Sequence, residues 1–175
     1  MADALLAVEG VSIAFRGNAG ESYAARDVTF DVGTGEIVGL VGESGSGKTS
    51  LALAILSYLP RGGHVVGGDI RFRGKSLLTL RGRERRAIYG RHIAHVAQDP
   101  AAALNPALRI ATQLEEGIRA QLGTGAKEAR SRALSLLDEV RLPGGARTLE
   151  SYPHQLSGGM QQRVCIAMAL ACDQP

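Results

Sequence analysis

The sequence predicts a mixed α/β fold: a strand–loop–helix core, an antiparallel β layer before it and a largely helical segment after it. Three observations carry this. Gly42 to Thr49 reads GESGSGKT and meets the pattern G-x-x-x-x-G-K-[ST] at every fixed position. Ahead of it, Val28, Phe30 and Val32 alternate with Thr29 and Asp31, the period of a half-buried strand. Beyond Ala107 the apolar residues recur at helical spacing, most clearly from Ala126 to Val140.

A length of 175 residues suits one domain with room for an inserted lobe. The hydrophobic fraction of 45% is that of a globular protein, and the net charge of +3 neither demands nor excludes an acidic partner. Cys165 and Cys172 lie on one face of an apolar helical run, about 10 Å apart along its axis, too far for a disulfide. They read as buried reduced thiols of a cytosolic protein. The first ten residues lack the basic and apolar regions of a signal peptide, and no apolar run is long enough to span a membrane.

Leu5 to Val8 and Val11 to Phe15 are short apolar runs split by Glu9-Gly10, either two strands or one bent strand. Residues 16–20 form a turn by composition. Glu36 to Val41 is an apolar run of the kind buried in a parallel sheet. Ser50 to Leu56 is a run of mostly good helix formers. Pro60 to Gly63 interrupts the structure, and a strand follows with Ile70 and Phe72 facing inward. Arg81, Arg83, Arg85, Arg86 and Arg91 read as a solvated helix face, although nucleic acid also binds such clusters. Ile93 to Ala97 is a second candidate for the parallel sheet. His92 and His95 would then point to opposite faces and share no metal, and all four histidines read as structural. The helix from Ala126 to Val140 puts Ala126, Ala129, Ala133, Leu136, Leu137 and Val140 on one stripe and sets Glu128 and Arg132 as an i,i+4 pair outside it. Pro143 to Gly145 ends it, and Met160 to Cys172 is a last helix before the Asp173–Pro175 tail.

The chemistry concentrates in three stretches. In the loop, Gly42, Gly45 and Gly47 let the backbone adopt positive φ and approach an anion, with successive N–H groups turned inward. Lys48 would reach the β- and γ-phosphates, the Thr49 hydroxyl would ligate Mg²⁺, and the helix N-terminus behind them favours negative charge. Gln98, at the end of the second candidate strand, is placed either to orient a water and complete a metal shell or to begin an ordinary turn. Ser157 is a good N-cap, and Gly158 and Gly159 after it permit an anion to approach bare amides.

These motifs, in this order, resemble the ATP-binding subunit of an ABC transporter. GESGSGKT matches the Walker A motif, Gln98 the Q-loop and LSGGMQQR the ABC signature. QDPAAALNP and SYPHQLSGGMQQRVCIAMALAC resemble the dipeptide, oligopeptide and nickel importer branch. The resemblance runs from about Leu5 to Pro175. It implies a P-loop NTPase core with an N-terminal antiparallel β layer and an inserted helical subdomain, the C-terminal part of the core missing. Residues 1–98 would hold the β layer and P-loop core, 99–156 the mainly helical subdomain, and 157–175 the signature and following helix.

The same resemblance implies the site. Gly42, Glu43, Ser44, Gly45, Ser46, Gly47, Lys48, Thr49 and Ser50 would hold the phosphates of ATP, with Thr49 and Gln98 on Mg²⁺. Phe15 would stack on adenine, with Tyr23 as the alternative. Gln98 would be catalytic, sensing the γ-phosphate. Ser157, Gly158 and Gly159 would bind the γ-phosphate held by the second ABC ATPase subunit of a head-to-tail dimer. Residues 100–114 would face transmembrane permease subunits, with an extracytoplasmic solute-binding protein as an indirect partner. The expected function is an ATPase on the cytoplasmic face of the cell membrane that energises import of peptides or a related small solute. The alternatives are a non-transport ABC ATPase acting on nucleic acid and a nucleotide-binding module without turnover. No nucleic acid partner is expected, since no long insertion interrupts the stretch from Gln98 to Leu156. The chain ends before the expected Walker B strand and switch histidine. It is therefore expected to bind ATP weakly and not to turn it over.

Overall fold

The computed structural model describes residues 4–17 and 20–171. Asn18 and Ala19 of the expected turn, Cys172 and the Asp173–Pro175 tail lie outside the described residues. The chain divides into two compact units, Met1–Arg85 and Arg86–Pro175.

The first unit is built on a four-stranded antiparallel sheet in the order β2-β1-β3-β4. Its strands are β1 (Leu6–Gly17), β2 (Gly20–Val32), β3 (Gly63–Phe72) and β4 (Lys75–Ser76). The two apolar runs around Glu9-Gly10 are one bent strand. Its register shifts against both neighbours there, between Val8 and Val11 on one side and between Glu9 and Ser12 on the other. Glycine is required at this bend: Gly10 has φ +59°, and a Cβ on Gly68 (φ +81°) would strike the carbonyl oxygens of Glu9 and Gly10. Val8, Val11 and Ile13 from β1, Ile70 and Phe72 from β3, and Leu77 are buried in this unit. Helix α1 (Lys48–Ile55) packs on β1, β2 and β3 and adds Leu51 and Ala54 to its core.

The two expected parallel strands are absent. Residues 36–43 are in no ladder, and Ile37 and Val41 are 98% and 94% exposed. Residues 94–97 are likewise unpaired, and Ile93 makes one isolated parallel bridge to Tyr89. The reason is physical. A parallel strand receives its neighbours through crossover connections and not from an adjacent hairpin. No described segment supplies such a neighbour, so the apolar pattern has nothing to pair with.

The arginine-rich segment forms α2 (Gly82–Ile88), none of whose residues is buried. Arg85 donates to the Ser57 carbonyl, and Arg91 Nη2 donates to the Gln121 carbonyl at 2.7 Å.

The second unit is helical, with α3 (Pro100–Ala103), α4 (Ile110–Leu122), α5 (Ala126–Glu139), α6 (Gly145–Glu150), a 3-10 turn at Pro153–Gln155 and α7 (Gly158–Leu170). Its core joins Ile110, Leu114 and Ile118 of α4 to Ala129, Ala133, Leu136 and Leu137 of α5, Leu149 of α6 and Val164 of α7. Among the expected stripe residues, Ala126 is exposed, because it is the first residue of α5. Arg132 pairs with Glu139 at 2.7 Å, not with Glu128. Cys165 is buried, and burial pushes its thiol pKa up.

A polar network ties the helices from outside. Arg130 of α5 donates to Glu115 of α4 at 3.0 Å and to Glu150 of α6 at 2.6 Å, and Arg109 donates to Glu150 at 2.9 Å. The hydrogen bond from Arg130 holds the Glu150 carboxyl below its ordinary pKa against the opposing effect of desolvation, and the charges of Arg130 and Arg109 assist.

Two outcomes follow from this packing. Leu136, with no exposed surface, should cost about 2–5 kcal/mol when changed to Ala, read as a lower urea midpoint at unchanged slope. A carboxyl whose pKa is lowered by folding gives stability that is full above its unfolded value and lost as pH falls through the folded one. The urea midpoint should therefore drop on acidification below the usual glutamate range, and Glu150→Gln should flatten that part of the profile.

Candidate functional site

The phosphate loop leads into α1, and its geometry follows from two glycines. Gly45 and Gly47 have φ of +83° and +87°, the left-handed region that favours glycine. Gly42 does not take positive φ. It is constrained by space instead, since a Cβ there would lie 2.8 Å from Ser46 Oγ. The Ser46 N–H donates to the Glu43 carbonyl at 3.2 Å and closes the turn. Gly47 is the N-cap residue of α1, and Leu51 donates to its carbonyl at 2.9 Å.

Lys48 folds back over this turn. Its Nζ donates to the carbonyls of Gly42 at 2.7 Å and Glu43 at 2.6 Å and to Ser46 Oγ at 3.2 Å. These bonds use all three ammonium protons. Among the described residues, no acceptor meets the backbone N–H groups of Gly45, Gly47, Lys48, Thr49 and Ser50. Glu43, Ser44 and Thr49 are exposed. Unpaired amides at a helix N-terminus, with a lysine ammonium beside them, fit a polyphosphate. The Thr49 hydroxyl and the Gln98 amide are oxygen donors of the kind a hard divalent cation takes.

The loop is anchored on β2. The pairing of Ile13 with Ala25 and of Ala14 with Tyr23 leaves Ala24 as an extra residue, a bulge. A Cβ on Gly47 would strike the Ala24 carbonyl oxygen and lie 3.4 Å from the Ala25 Cβ. This contact has no signal in the sequence, because it depends on where the bulge falls.

Register separates the two aromatic candidates. Phe15 pairs with Ser22 and Gly63, and Tyr23 pairs with Ala14. Directly opposed residues share a face, and successive residues alternate. Phe15 therefore shares its face with Ile13 and Ala25, whose Cβ faces Gly47, and Tyr23 lies on the other face. Phe15 is half-buried. Tyr23 is 46% exposed, with the Arg26 guanidinium 4.1 Å above its ring.

Gln98, Ser157, Gly158 and Gly159 belong to the second unit. Gln98 is exposed in a bend, not at the end of a ladder strand. Asp99 after it is the N-cap of α3, its Oδ1 accepting from Ala101 N at 3.0 Å and Ala102 N at 3.4 Å. The Asp-Pro pair carried that signal. Ser157 caps α7, its Oγ accepting from Met160 N at 3.3 Å. Gly158 and Gly159 are exposed, and a Cβ on either would meet nothing within 4 Å. Neither has positive φ. The conformation and packing of the described residues therefore do not require glycine there. Two further side chains fix this helix start. Gln161 Nε2 donates to the carbonyls of Pro153 at 2.8 Å and Leu156 at 3.3 Å. Arg163 Nη1 donates to the carbonyls of Val140 at 3.2 Å and Arg141 at 2.6 Å, beyond the end of α5. The partners of Arg163 are more than twenty residues away in sequence, so spacing gave no sign of them.

A family model described as ABC transporter matches residues 25–175. A protein of Brucella abortus (strain 2308) whose name assigns it to peptide import as the ATP-binding protein is 47% identical over 169 residues, 97% of this chain and 51% of the relative. The dipeptide transport ATP-binding protein DppD of Escherichia coli (strain K12) is 41% identical over 169 residues, 97% of this chain and 52% of the relative. The chain thus spans about half the length of the curated relatives it matches. Among solved structures, the ATP-binding cassette MJ0796, in a dimeric post-hydrolysis state bound to ADP and Pi, matches with a TM-score of 0.81 at 28% identity. That match covers 95% of this chain and 69% of the other. On a family match over most of its length and identities of 41% and 47% to two relatives, the chain belongs to the ABC transporter family.

Proposed function

We propose that this chain carries the ATP-binding apparatus of a subunit that hydrolyses ATP to energise ABC-type import of peptides or a related small solute. The observation that carries the reading is the loop from Gly42 to Ser50, where unpaired amides and the Lys48 ammonium converge. Relatives named for peptide and dipeptide transport supply the solute class. For the same reason the alternative, an ATPase acting on nucleic acid, is not favoured.

In this reading the triphosphate takes Lys48 from the carbonyls of Gly42 and Glu43, exchanging neutral acceptors for charged ones. Bonds to a charged partner are the stronger kind, which supports binding at this position. Glu43, Ser44 and Ser46 frame the loop, and the N–H groups of Gly45, Gly47, Lys48, Thr49 and Ser50 face the anion. Phe15 carries the adenine in preference to Tyr23. Its support is the face it shares with Ala25, beside Gly47, while Arg26 already covers the Tyr23 ring. Thr49 and Gln98 would hold Mg²⁺, which supplies neutralisation of the phosphate charge. Gln98 would orient the attacking water through its amide.

Ser157, Gly158 and Gly159 form the second anion contact, directed at the γ-phosphate bound by a second ABC ATPase subunit. Its support is the pair of exposed glycines that nothing within the chain requires. The remaining partners are the transmembrane permease subunits, met through residues 100–114, and through them a solute-binding protein. No helix of the described residues is long and apolar enough to cross a membrane. Attachment at the cytoplasmic face would therefore be through the permease.

Lys48→Ala should weaken binding of a fluorescent ATP analogue by about 2–3 kcal/mol, the scale of hydrogen bonds to charged groups. Equal binding by the variant would contradict the assignment. Gly158→Ala should leave the fold and ATP binding at the loop intact, since its Cβ meets open space. In the assembled transporter, turnover and peptide uptake should fall at least tenfold, and unchanged turnover would remove the second anion contact.

A further inference from the structure

The turn at Pro60–Gly63 touches β1 at Phe15 and Arg16. The Gly63 N–H donates to the Pro60 carbonyl at 2.8 Å, closing the turn. Gly62 takes φ +87°, and its carbonyl accepts the Arg16 N–H at 3.0 Å. A Cβ on Gly62 would lie 2.9 Å from the Arg16 carbonyl oxygen. Gly63 differs from Gly62 in kind. Its φ is not positive, so its backbone accepts any residue. What requires glycine there is the Phe15 ring. A Cβ on Gly63 would lie 2.7 Å from Phe15 Cε1 and 3.1 Å from Cζ, with the Pro60 carbonyl oxygen at 3.1 Å. The ring thus lies across the bare backbone of the neighbouring strand, opposite its own pairing partner.

The ring rests against the bare backbone of Gly63. On the flank, Glu21 of β2 accepts from His64 of β3 at 2.9 Å. Glu21 also lies opposite Arg16, and His64 opposite Ala14, the two residues beside Phe15. This contact bridges the strands on both sides of β1 on the face away from the ring.

We infer that Gly63 is a positioning residue for nucleotide recognition: the absence of its side chain sets the orientation of the Phe15 ring and thereby the fit of the purine base. The inference rests on the reading of Phe15 as the base-stacking residue. A ring pushed aside by an added methyl group loses its parallel alignment with a base, and stacking depends on that alignment. Phosphate contacts at the loop do not involve Gly63 and should not respond.

The test compares two probes, ATP and inorganic tripolyphosphate, on the chain with Gly63→Ala, Phe15→Ala and both changes. Gly63→Ala should weaken ATP about tenfold, the scale of one base–aromatic stack, and leave tripolyphosphate within twofold. The double variant should bind ATP no more weakly than Phe15→Ala alone, because both changes remove one interaction. Gly63→Ser, which adds a similar obstruction with a different surface, should repeat the pattern. A parallel fall in tripolyphosphate affinity would mean that Gly63 serves the fold at large and would overturn the inference. Additive losses in the double variant would overturn it too. If Phe15→Ala leaves ATP binding unchanged, the reading of Phe15 itself fails and the positioning role falls with it, while Lys48→Ala still reports on the loop separately.

Discussion

The approach of the Gly47 backbone to the carbonyl oxygen of Ala24 is the constraint on which the first unit depends. It seats the N-terminus of α1 against β2, an edge strand of the antiparallel sheet. No side chain fits in that gap, and the φ of +87° would strain any residue other than glycine. The bulge that presents Ala24 is set in turn by the pairing of β1 with β2. Loop, helix and sheet are thereby one mechanical object. The unpaired amides from Gly47 onward are aimed by a contact that itself binds nothing.

The same sheet fixes which aromatic faces the loop. Moving a strand by one residue exchanges its faces. The extra residue at Ala24 does this locally in β2, so Tyr23 and Ala25, two positions apart, end on opposite sides of the sheet. Phe15 and Ala25 share a side. A choice between two aromatics, equal as residues, becomes a matter of parity along the strand.

The helical unit solves a different problem. The starts of α3 and α7 are capped locally by Asp99 and Ser157. Its helix–helix geometry is held by longer reaches, Arg130 to Glu115 and Glu150 and Arg163 to the carbonyls after α5. The exposed ion pairs carry modest energy. The buried aliphatic residues of α4 and α5 supply most of the stability, and the polar reaches orient the start of α7, where Gly158 and Gly159 lie bare.

Much of this was legible in the residues. GESGSGKT specified a phosphate loop because its chemistry is local: glycines for close backbone approach, a lysine for charge, a helix start for the dipole. Ser157 as a cap and the buried stripe of α5 were legible for the same reason, since each depends on residues within two turns of one another. The apolar runs at 37–41 and 93–97 were read as buried strands, but their apolar residues are largely exposed, because a run of apolar side chains names no partner. The bulge at Ala24, the face of Phe15 and the space at Gly63 were decided only by tertiary structure. Each depends on register between strands whose pairing residues are distant in sequence. The sequence determined which groups are suited to phosphate. The packing of β1 between β2 and β3 decided where those groups point, because direction in a sheet is a property of pairs of strands and not of one.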